Sequence, residues 1–321
     1  MQRANARYYA TGEPFREFAT GPEISQVFGE ILGLWAATVW EVMGRPDPLL
    51  LVELGPGRGT LMRDALRAAS QVAPNFRSAL ALHLVETSPK LRSLQEVLLP
   101  GAAWHADWRE IPDGPMLLLA NEFLDALPIR QFIRRPGGWT ERFVFGQRFV
   151  ERPAAAPPRD APEGGIVEVC EPALALAGAL GERFAATRGG LIPGVALFLD
   201  YGPAASAPGD SLQALRDGRP ADPLADPGTA DLTAHVDFQA FAAMARARGA
   251  EVSGPVAQGL FLTRLGLFQR LDRLARGRSP AMAAALLAAG RRLVEPDGMG
   301  RLFKVMAVAS PNLPPLPGFA P

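Results

Sequence analysis

Apolar positions recur along the chain in two rhythms. Over 22–43, "PEISQVFGEILGLWAATVWEVM", Ile24, Val27, Phe28, Ile31, Trp35, Val39 and Val42 share one stripe at spacings of three and four. That period predicts an amphipathic helix whose stripe is core packing. Thr20 or Gly21 can cap its start, Pro22 and Glu23 suit its first turn, and Gly44 with Pro46 ends it. The second rhythm is a set of short apolar runs: "PLLLVEL" (48–54), "ALALHLVE" (79–86), "PMLLLAN" (115–121) and "GVALFLDY" (194–201). Apolar on both faces and separated by helix-like segments, they predict the covered strands of a parallel sheet in an α/β fold.

Between the third and fourth runs the pattern changes. "RQFIRR", "WTERFVF" and "GIVEV" are β-like pieces, interrupted by the Pro/Ala-rich "ERPAAAPPRDAPEGG" (151–165), so 129–170 reads as a β-rich insertion carrying a flexible surface loop. A second irregular stretch covers 202–238, helical patterns follow at 237–248, 265–275 and 279–293, and "RLFKVMAVA" (301–309) reads as a closing strand. The organisation expected is therefore an N-terminal helical segment over 1–45 and a core over 46–321, with insertions at about 129–170 and, loop-like and helical, at about 202–298.

Composition narrows the chemistry. The 321 residues hold 33 basic and 33 acidic side chains, which argues against a broad nucleic-acid surface. Cys170 is the single cysteine, so no intrachain disulfide forms, and His83, His105 and His235 lack the close spacing of zinc ligands; no metal is expected. No apolar run is long enough to span a bilayer and no export signal opens the chain, which leads to the expectation of a bacterial cytoplasmic protein, or a mitochondrial-matrix one if eukaryotic.

The first apolar run leads into "LVELGPGRGTLMRDAL" (51–66). Gly55, Gly57 and Gly59 form GxGxG, not the GxGxxG of a dinucleotide fingerprint, and Gly59 is followed by Thr60 without the lysine of a phosphate loop. Glu53, two residues before the loop, would repel a pyrophosphate and attract a cation. S-adenosylmethionine, with a sulfonium, an ammonium and no phosphate, meets these constraints. Glu86, at the tip of "LHLVE", is placed to accept from both ribose hydroxyls; Asp107 in "HADW" can take the adenine amino group and Trp108 can cover the ring. With Pro56 in the loop and Asn121 at the end of the next strand, the expected cofactor-binding set is Glu53, Gly55, Pro56, Gly57, Gly59, Glu86, Asp107, Trp108 and Asn121.

Taken with "YYATGEPF", "TGPEISQVFGE", "HLVETSPKLR", "NEFLDALPIRQF", "DYG" and "DPLADPGTADLTAHVDF", the glycine loop resembles the motif series of the MidA-like family of class I S-adenosylmethionine-dependent methyltransferases, over nearly the whole chain. That family includes a mitochondrial protein arginine methyltransferase acting in respiratory complex I assembly. The resemblance implies a seven-stranded, mostly parallel Rossmann-like sheet with α/β insertions, and symmetric dimethylation of an arginine on a complex I core subunit. Family members usually carry more helix before the "YY" motif at Tyr8 and a longer loop where this chain reads "PFREFATGPE" (14–23), which implies a more open site or a different start.

An arginine guanidinium is a poor nucleophile because it stays protonated, and carboxylates can orient it and localise its lone pair. "ANEFLDALP" (120–128) offers such groups at the carboxyl end of a strand, where open α/β sheets bind ligands. It is similar to the acidic loop of symmetric-type arginine methyltransferases. Glu122 is the first catalytic candidate and Asp125 the second, though the second Glu of that loop has no clear match. Glu23, within the family's "PEIS", and Asp200 and Tyr201, ending a strand, are expected near the substrate, while a lone loop histidine such as His235 is not assigned a role. A small-molecule methyltransferase and a non-catalytic cofactor-binding assembly factor remain as alternatives, since a fold does not fix an acceptor.

Overall fold

The computed structural model of the protein describes residues 1–11, 20–185 and 192–319. Along the chain run α1 (Gln2–Thr11), α2 (Gly21–Ile24), α3 (Gln26–Val42), β1 (Leu49–Leu54), α4 (Thr60–Val72), α5 (Pro74–Ala79), β2 (Leu80–Val85), α6 (Pro89–Leu98), β3 (Ala103–His105) and β4 (Met116–Asn121). After these come β5 (Arg130–Arg135), β6 (Gly138–Phe145), β7 (Arg148–Ala154), β8 (Ile166–Val169), α7 (Glu171–Ala185), β9 (Gly194–Tyr201), β10 (Gln213–Arg216), β11 (Arg219–Ala221) and β12 (Asp231–Thr233). The chain closes with α8 (Phe238–Ala247), β13 (Glu251–Ala257), α9 (Gln258–Arg264), α10 (Leu267–Ala275), α11 (Pro280–Val294), α12 (Met299–Leu302) and β14 (Phe303–Ala309).

Seven strands form one sheet in the order β13-β14-β9-β4-β1-β2-β3, parallel except that β14 is antiparallel to both neighbours. Both faces of the central strands are covered, which explains why they are apolar except at Glu53, Asn121 and Asp200 near their carboxyl ends. Leu49, Leu51, Leu117, Leu119, Leu197 and Leu199 enter one core, against α3 and α4. Leu50, Val52, Leu118, Ala120, Ala196 and Phe198 enter the other, with α7 and α8 residues. The α3–α4 crossing is close because Gly33 faces Ala65: a side-chain carbon at Gly33 would stand 2.4 Å from the Ala65 carbonyl oxygen. The order reverses between β1 and β4, which opens the ligand crevice of such sheets at their carboxyl ends.

Several expectations change in detail. The helix expected over 22–43 is two helices, because Ser25 is extended (φ −155°) and its hydroxyl accepts from the Val27 N–H to cap α3. Part of the stretch read as a flexible loop is β7, paired with β6; Pro153 is accommodated because β7 is an edge strand. The irregular 202–238 stretch holds β10, β11 and β12, a three-stranded sheet of very short strands. The 202–298 stretch is not wholly a loop-like and helical insertion: β13 lies inside it and joins the main sheet, hidden from pattern by Gly254 and Pro255 and by its edge position. The loop departure at 14–23 falls largely outside the described residues. Among the described residues no helix is long and apolar enough to cross a membrane.

Insertion strands β5 to β8 form a separate antiparallel sheet, order β7-β6-β5-β8, around Phe132, Trp139 and Val167. Helix α1 is tied to the body by Asn5, whose Nδ2 donates to the carbonyls of Ala126 (2.9 Å) and Leu232 (2.8 Å).

Candidate active site

The glycine loop joins β1 to α4 in the left-handed region at Gly55 (φ 62°), Gly57 (φ 55°) and Gly59 (φ 81°), a conformation that disfavours side chains. Absence of a side chain at Gly55 also makes room, since a carbon there would stand 3.0 Å from the Phe123 ring. Beneath the loop Glu53 is buried, and its Oε2 meets no hydrogen-bond donor among the described residues. Burial pushes its carboxyl up to about 8. A buried carboxylate oxygen without a donor is costly unless a cation or donor completes it. This fits a ligand presenting an ammonium, which would draw the carboxyl into its ionised form.

Glu86 follows β2 and is buried. Its Oε1 accepts from the Ser88 N–H at 2.7 Å and its Oε2 lies 3.4 Å from Nε2 of Gln95. Burial raises its pKa against these hydrogen bonds, which pull it down. Gln95, fully buried on α6, also donates to the Gly57 carbonyl (2.7 Å) and accepts from Trp104 Nε1 (2.9 Å), so it joins the glycine loop to the Glu86 tip. Sequence reasoning missed Gln95. Its signal was a polar residue four positions after buried Leu91 on one helix stripe. Asp107 caps the 3-10 turn 108–110, taking the Arg109 N–H at 2.9 Å and pairing with the Arg109 guanidinium; these bonds hold its carboxyl at about 2. Trp108 is half-buried against the second core. Pro56 is buried within the glycine loop.

At the end of β4 the backbone of Glu122 is left-handed (φ 50°), a conformation that costs a non-glycine residue on the order of 1–3 kcal/mol. Surrounding bonds hold it: the Glu122 N–H donates to the Leu199 carbonyl at 2.8 Å, and Asp200 Oδ2 accepts from the N–H groups of Phe123 (3.1 Å), Leu124 (2.8 Å) and Asp125 (3.3 Å). Asp200 is buried and its Oδ1 takes the Tyr201 N–H, so it lies under the acidic loop as an anchor; burial lifts its carboxyl to about 7. Glu122 Oε1 accepts from Asn121 Nδ2 (3.0 Å) and from the Gly21 N–H (3.1 Å). Burial raises the Glu122 carboxyl, as it does that of Asp125, where the charges of Asp200, Glu122 and Asp231 add to the effect.

Helix α2 meets both halves of the site. Gly21 touches Glu122, and Glu23, exposed, accepts from the Thr60 hydroxyl at 2.7 Å where α4 leaves the glycine loop. On the far side, Asp231 of β12 is buried and accepts from the Tyr9 hydroxyl at 3.0 Å, while its charge reaches Glu122 and Asp125. Neither Asp231 nor Tyr9 was singled out from sequence, since only the fold of α1 and β12 against the acidic loop brings them there. Tyr201 is buried, hydrogen-bonded to Thr233 and Gln213, and stacks edge-on with His235. His235 in turn lines an open groove of about 770 Å³, with Ile129, Glu168, Gly202, Asp297 and Arg301.

The switch-point sheet, the left-handed glycine loop and the unpaired buried carboxylate fit one class, and the comparisons show it: this is a class I S-adenosyl-L-methionine-dependent methyltransferase. Residues 31–256 match the family described as "Putative S-adenosyl-L-methionine-dependent methyltransferase", and the chain belongs to that family. It is 36% identical to protein arginine methyltransferase NDUFAF7, mitochondrial, of Mus musculus, over 91% of this chain and 74% of that protein. The Drosophila melanogaster homologue is 34% identical over 96% of this chain and 79% of its own length. Among solved structures, a Burkholderia thailandensis protein bound to S-adenosyl-homocysteine superposes with a TM-score of 0.77 at 25% identity, covering 94% of this chain and 81% of that one.

Proposed function

We propose that the protein transfers methyl groups from S-adenosylmethionine to an arginine of a protein acceptor. What carries this reading is the convergence of Glu122, Asp125 and Asp231 beside the glycine loop, an acceptor set suited to a guanidinium. Relatives named as protein arginine methyltransferases support it. An open groove that begins at Gly202, just past the Asp200–Tyr201 strand end, also suits a polypeptide better than a small molecule.

In this proposal Glu53, the glycine loop with Pro56, and Glu86 hold the cofactor, with Asn121 beside them and Asp107 and Trp108 at its adenine end. Bound there, the cofactor supplies an electrophilic methyl group. Glu122 presents Oε2, which carries no hydrogen bond among the described residues, because Asn121 and Gly21 occupy Oε1. It would pair with one guanidinium nitrogen and leave another to face the methyl group; Asp231, and Asp125 once the guanidinium has drawn off its proton, would balance the remaining positive charge. Forming the N–C bond would break the methyl–sulfonium bond, its electron pair remaining on the sulfur of departing S-adenosylhomocysteine, while the methylated nitrogen would shed a proton that a carboxylate with a raised pKa is suited to take. Asp200 keeps the acidic loop in place, and Glu23 and Tyr201 flank the substrate side. The family resemblance points to a core subunit of respiratory complex I as acceptor, hence to the bacterial cytoplasm or the mitochondrial matrix as the place of action.

The test is transfer of labelled methyl into an extract of cells lacking the gene, with Glu122→Gln alongside. One labelled band, containing dimethylarginine and absent with the variant, is expected. No labelled protein despite cofactor binding would turn the assignment to a small-molecule acceptor or a non-catalytic assembly role.

A further inference from the structure

The β6–β7 hairpin is longer than the sheet that carries it. Gln131 of β5 is level with Arg142 on one side and Glu168 of β8 on the other, and Arg142 is level with Glu151 of β7. Beyond that level β5 continues into Ile129 and β8 into Cys170, both of which line the groove that also takes in Gly202 and His235, the ring partner of Tyr201. On the same end the hairpin runs on through Phe143, Val144 and Phe145, about 10 Å at ~3.4 Å per residue, before it turns back at Gly146 and Gln147. The projecting half is apolar on both faces. Phe143, Phe145 and Val150 share one, Val144 and Phe149 the other. Val144 and Phe145 keep 56% and 64% of their surface exposed.

Charge distinguishes this tip from the rest of the sheet. Arg130, Arg135 and Arg142 each take a carboxylate, from Glu141, Glu151 and Asp210 respectively. Arg148 and Arg152 make no ion pair among the described residues and instead lie over the rings of Phe145 (6.0 Å) and Phe143 (5.2 Å). The result is an exposed aromatic ribbon topped by two uncompensated guanidinium groups. The apex residues are Gly146 and Gln147, so the most distal point is polar and the aromatic rings sit behind it on both sides. A bilayer-inserting loop would bury its apex; this arrangement suits a cleft with two apolar walls and acidic rims.

We infer that the hairpin is the docking arm for the protein acceptor, gripping an acidic, apolar-walled cleft on that protein while the acceptor arginine occupies the groove and the carboxylate cluster. This rests on the protein-methyltransferase reading above. It assigns acceptor selection to a surface apart from the chemistry, so the arm affects KM and leaves kcat alone.

The experiment measures initial rates of methyl labelling of the acceptor band in extract from cells lacking the gene, as a function of extract concentration. The enzymes are the full-length wild type, Arg148→Glu/Arg152→Glu and Phe143→Ser/Phe145→Ser. Each double variant is expected to raise the half-saturating concentration at least tenfold, with the plateau rate, S-adenosylhomocysteine affinity and melting temperature retained. Added salt should raise the wild-type value and leave the charge-reversed one nearly flat. Unchanged half-saturation in both variants overturns the docking arm while the protein-methyltransferase reading stands. Labelling of no protein by the wild type overturns that reading, and the docking arm with it. Flotation of the wild type, but not the charge-reversed variant, with phosphatidylglycerol vesicles, together with unchanged acceptor saturation, reassigns the arm to a membrane surface.

Discussion

Oδ2 of Asp200 accepts the backbone N–H of Leu124 at 2.8 Å, at the centre of a three-donor cradle that keeps the acidic loop in its left-handed turn. Asp200→Ala leaves those buried N–H groups without an acceptor, which costs about 1–3 kcal/mol of stability. The loop then relaxes away from the Glu122 geometry. The expected outcome is a fall in kcat with cofactor affinity within about threefold of wild type, since near-attack geometry is sensitive to small displacements. Equal loss of cofactor binding and kcat would show that Asp200 supports the whole crevice instead.

Glu53 makes the ligand-free protein pH-sensitive. Its folded pKa of about 8 lies above the ordinary 4.5, so the folded state holds a proton that the unfolded chain has released. This contribution is fully present below 4.5 and is lost as pH rises toward 8, at up to about 1.4 kcal/mol per pH unit. Denaturant titrations at several pH values should show that decline in the wild type and a flatter profile in Glu53→Gln. Cofactor binding, which needs the ionised carboxylate, should release a proton below pH 8 and tighten as pH rises. Calorimetry in two buffers of different ionisation enthalpy measures this, and buffer-independent heats would contradict it.

The proposed function puts the Tyr9–Asp231 hydrogen bond on the acceptor side of the site. Asp231→Asn is expected to lower kcat/KM for the protein acceptor by roughly 100-fold, the scale of a lost charge-assisted contact, with cofactor affinity unchanged. Tyr9→Phe, which removes the hydroxyl and little packing, should cost about tenfold. Steady-state kinetics on both variants decides the point: wild-type kinetics in Asp231→Asn would reduce the pair to a clasp between α1 and β12.

Gln95 makes its contacts with no exposure to water. Gln95→Ala strands the Trp104 indole N–H and the Gly57 carbonyl in the interior and opens a cavity, for a destabilisation of about 3 kcal/mol. Because the same side chain joins the glycine loop to Glu86, S-adenosylhomocysteine affinity should fall more than tenfold. A stability loss with native affinity would mean that the loop is self-supporting.

The central sheet was legible because burial on both faces leaves β1, β4 and β9 apolar except near their carboxyl ends, where Glu53, Asn121 and Asp200 stand, and such runs survive as pattern whatever packs on them. The glycine loop and "NEFLD" were legible for a related reason: their residues are contiguous. Strands of three or four residues such as β11 and β12 carry too little alternation to register, and Pro153 and Pro255 mask β7 and β13 as loop. Asp231 and Tyr9 stand 222 positions apart and Gln95 and Gly57 stand 38 apart, so only tertiary structure joins them. The break at Ser25 is a local event too short to disturb a stripe of 3.6 period.

That break sets α2 apart from α3 and leaves it as a short bridge between the two loops. Four residues long, α2 gives its Gly21 N–H to the acidic loop and its Glu23 carboxylate to the start of α4. Both contacts run through these four residues, so on the proposed placement of the two substrates a cofactor that stills the glycine loop would, through α2, also steady the carboxylate that faces the acceptor. By reciprocity the acceptor tightens the cofactor in turn. The two substrates are thereby made to queue: the one that arrives first prepares the seat of the second.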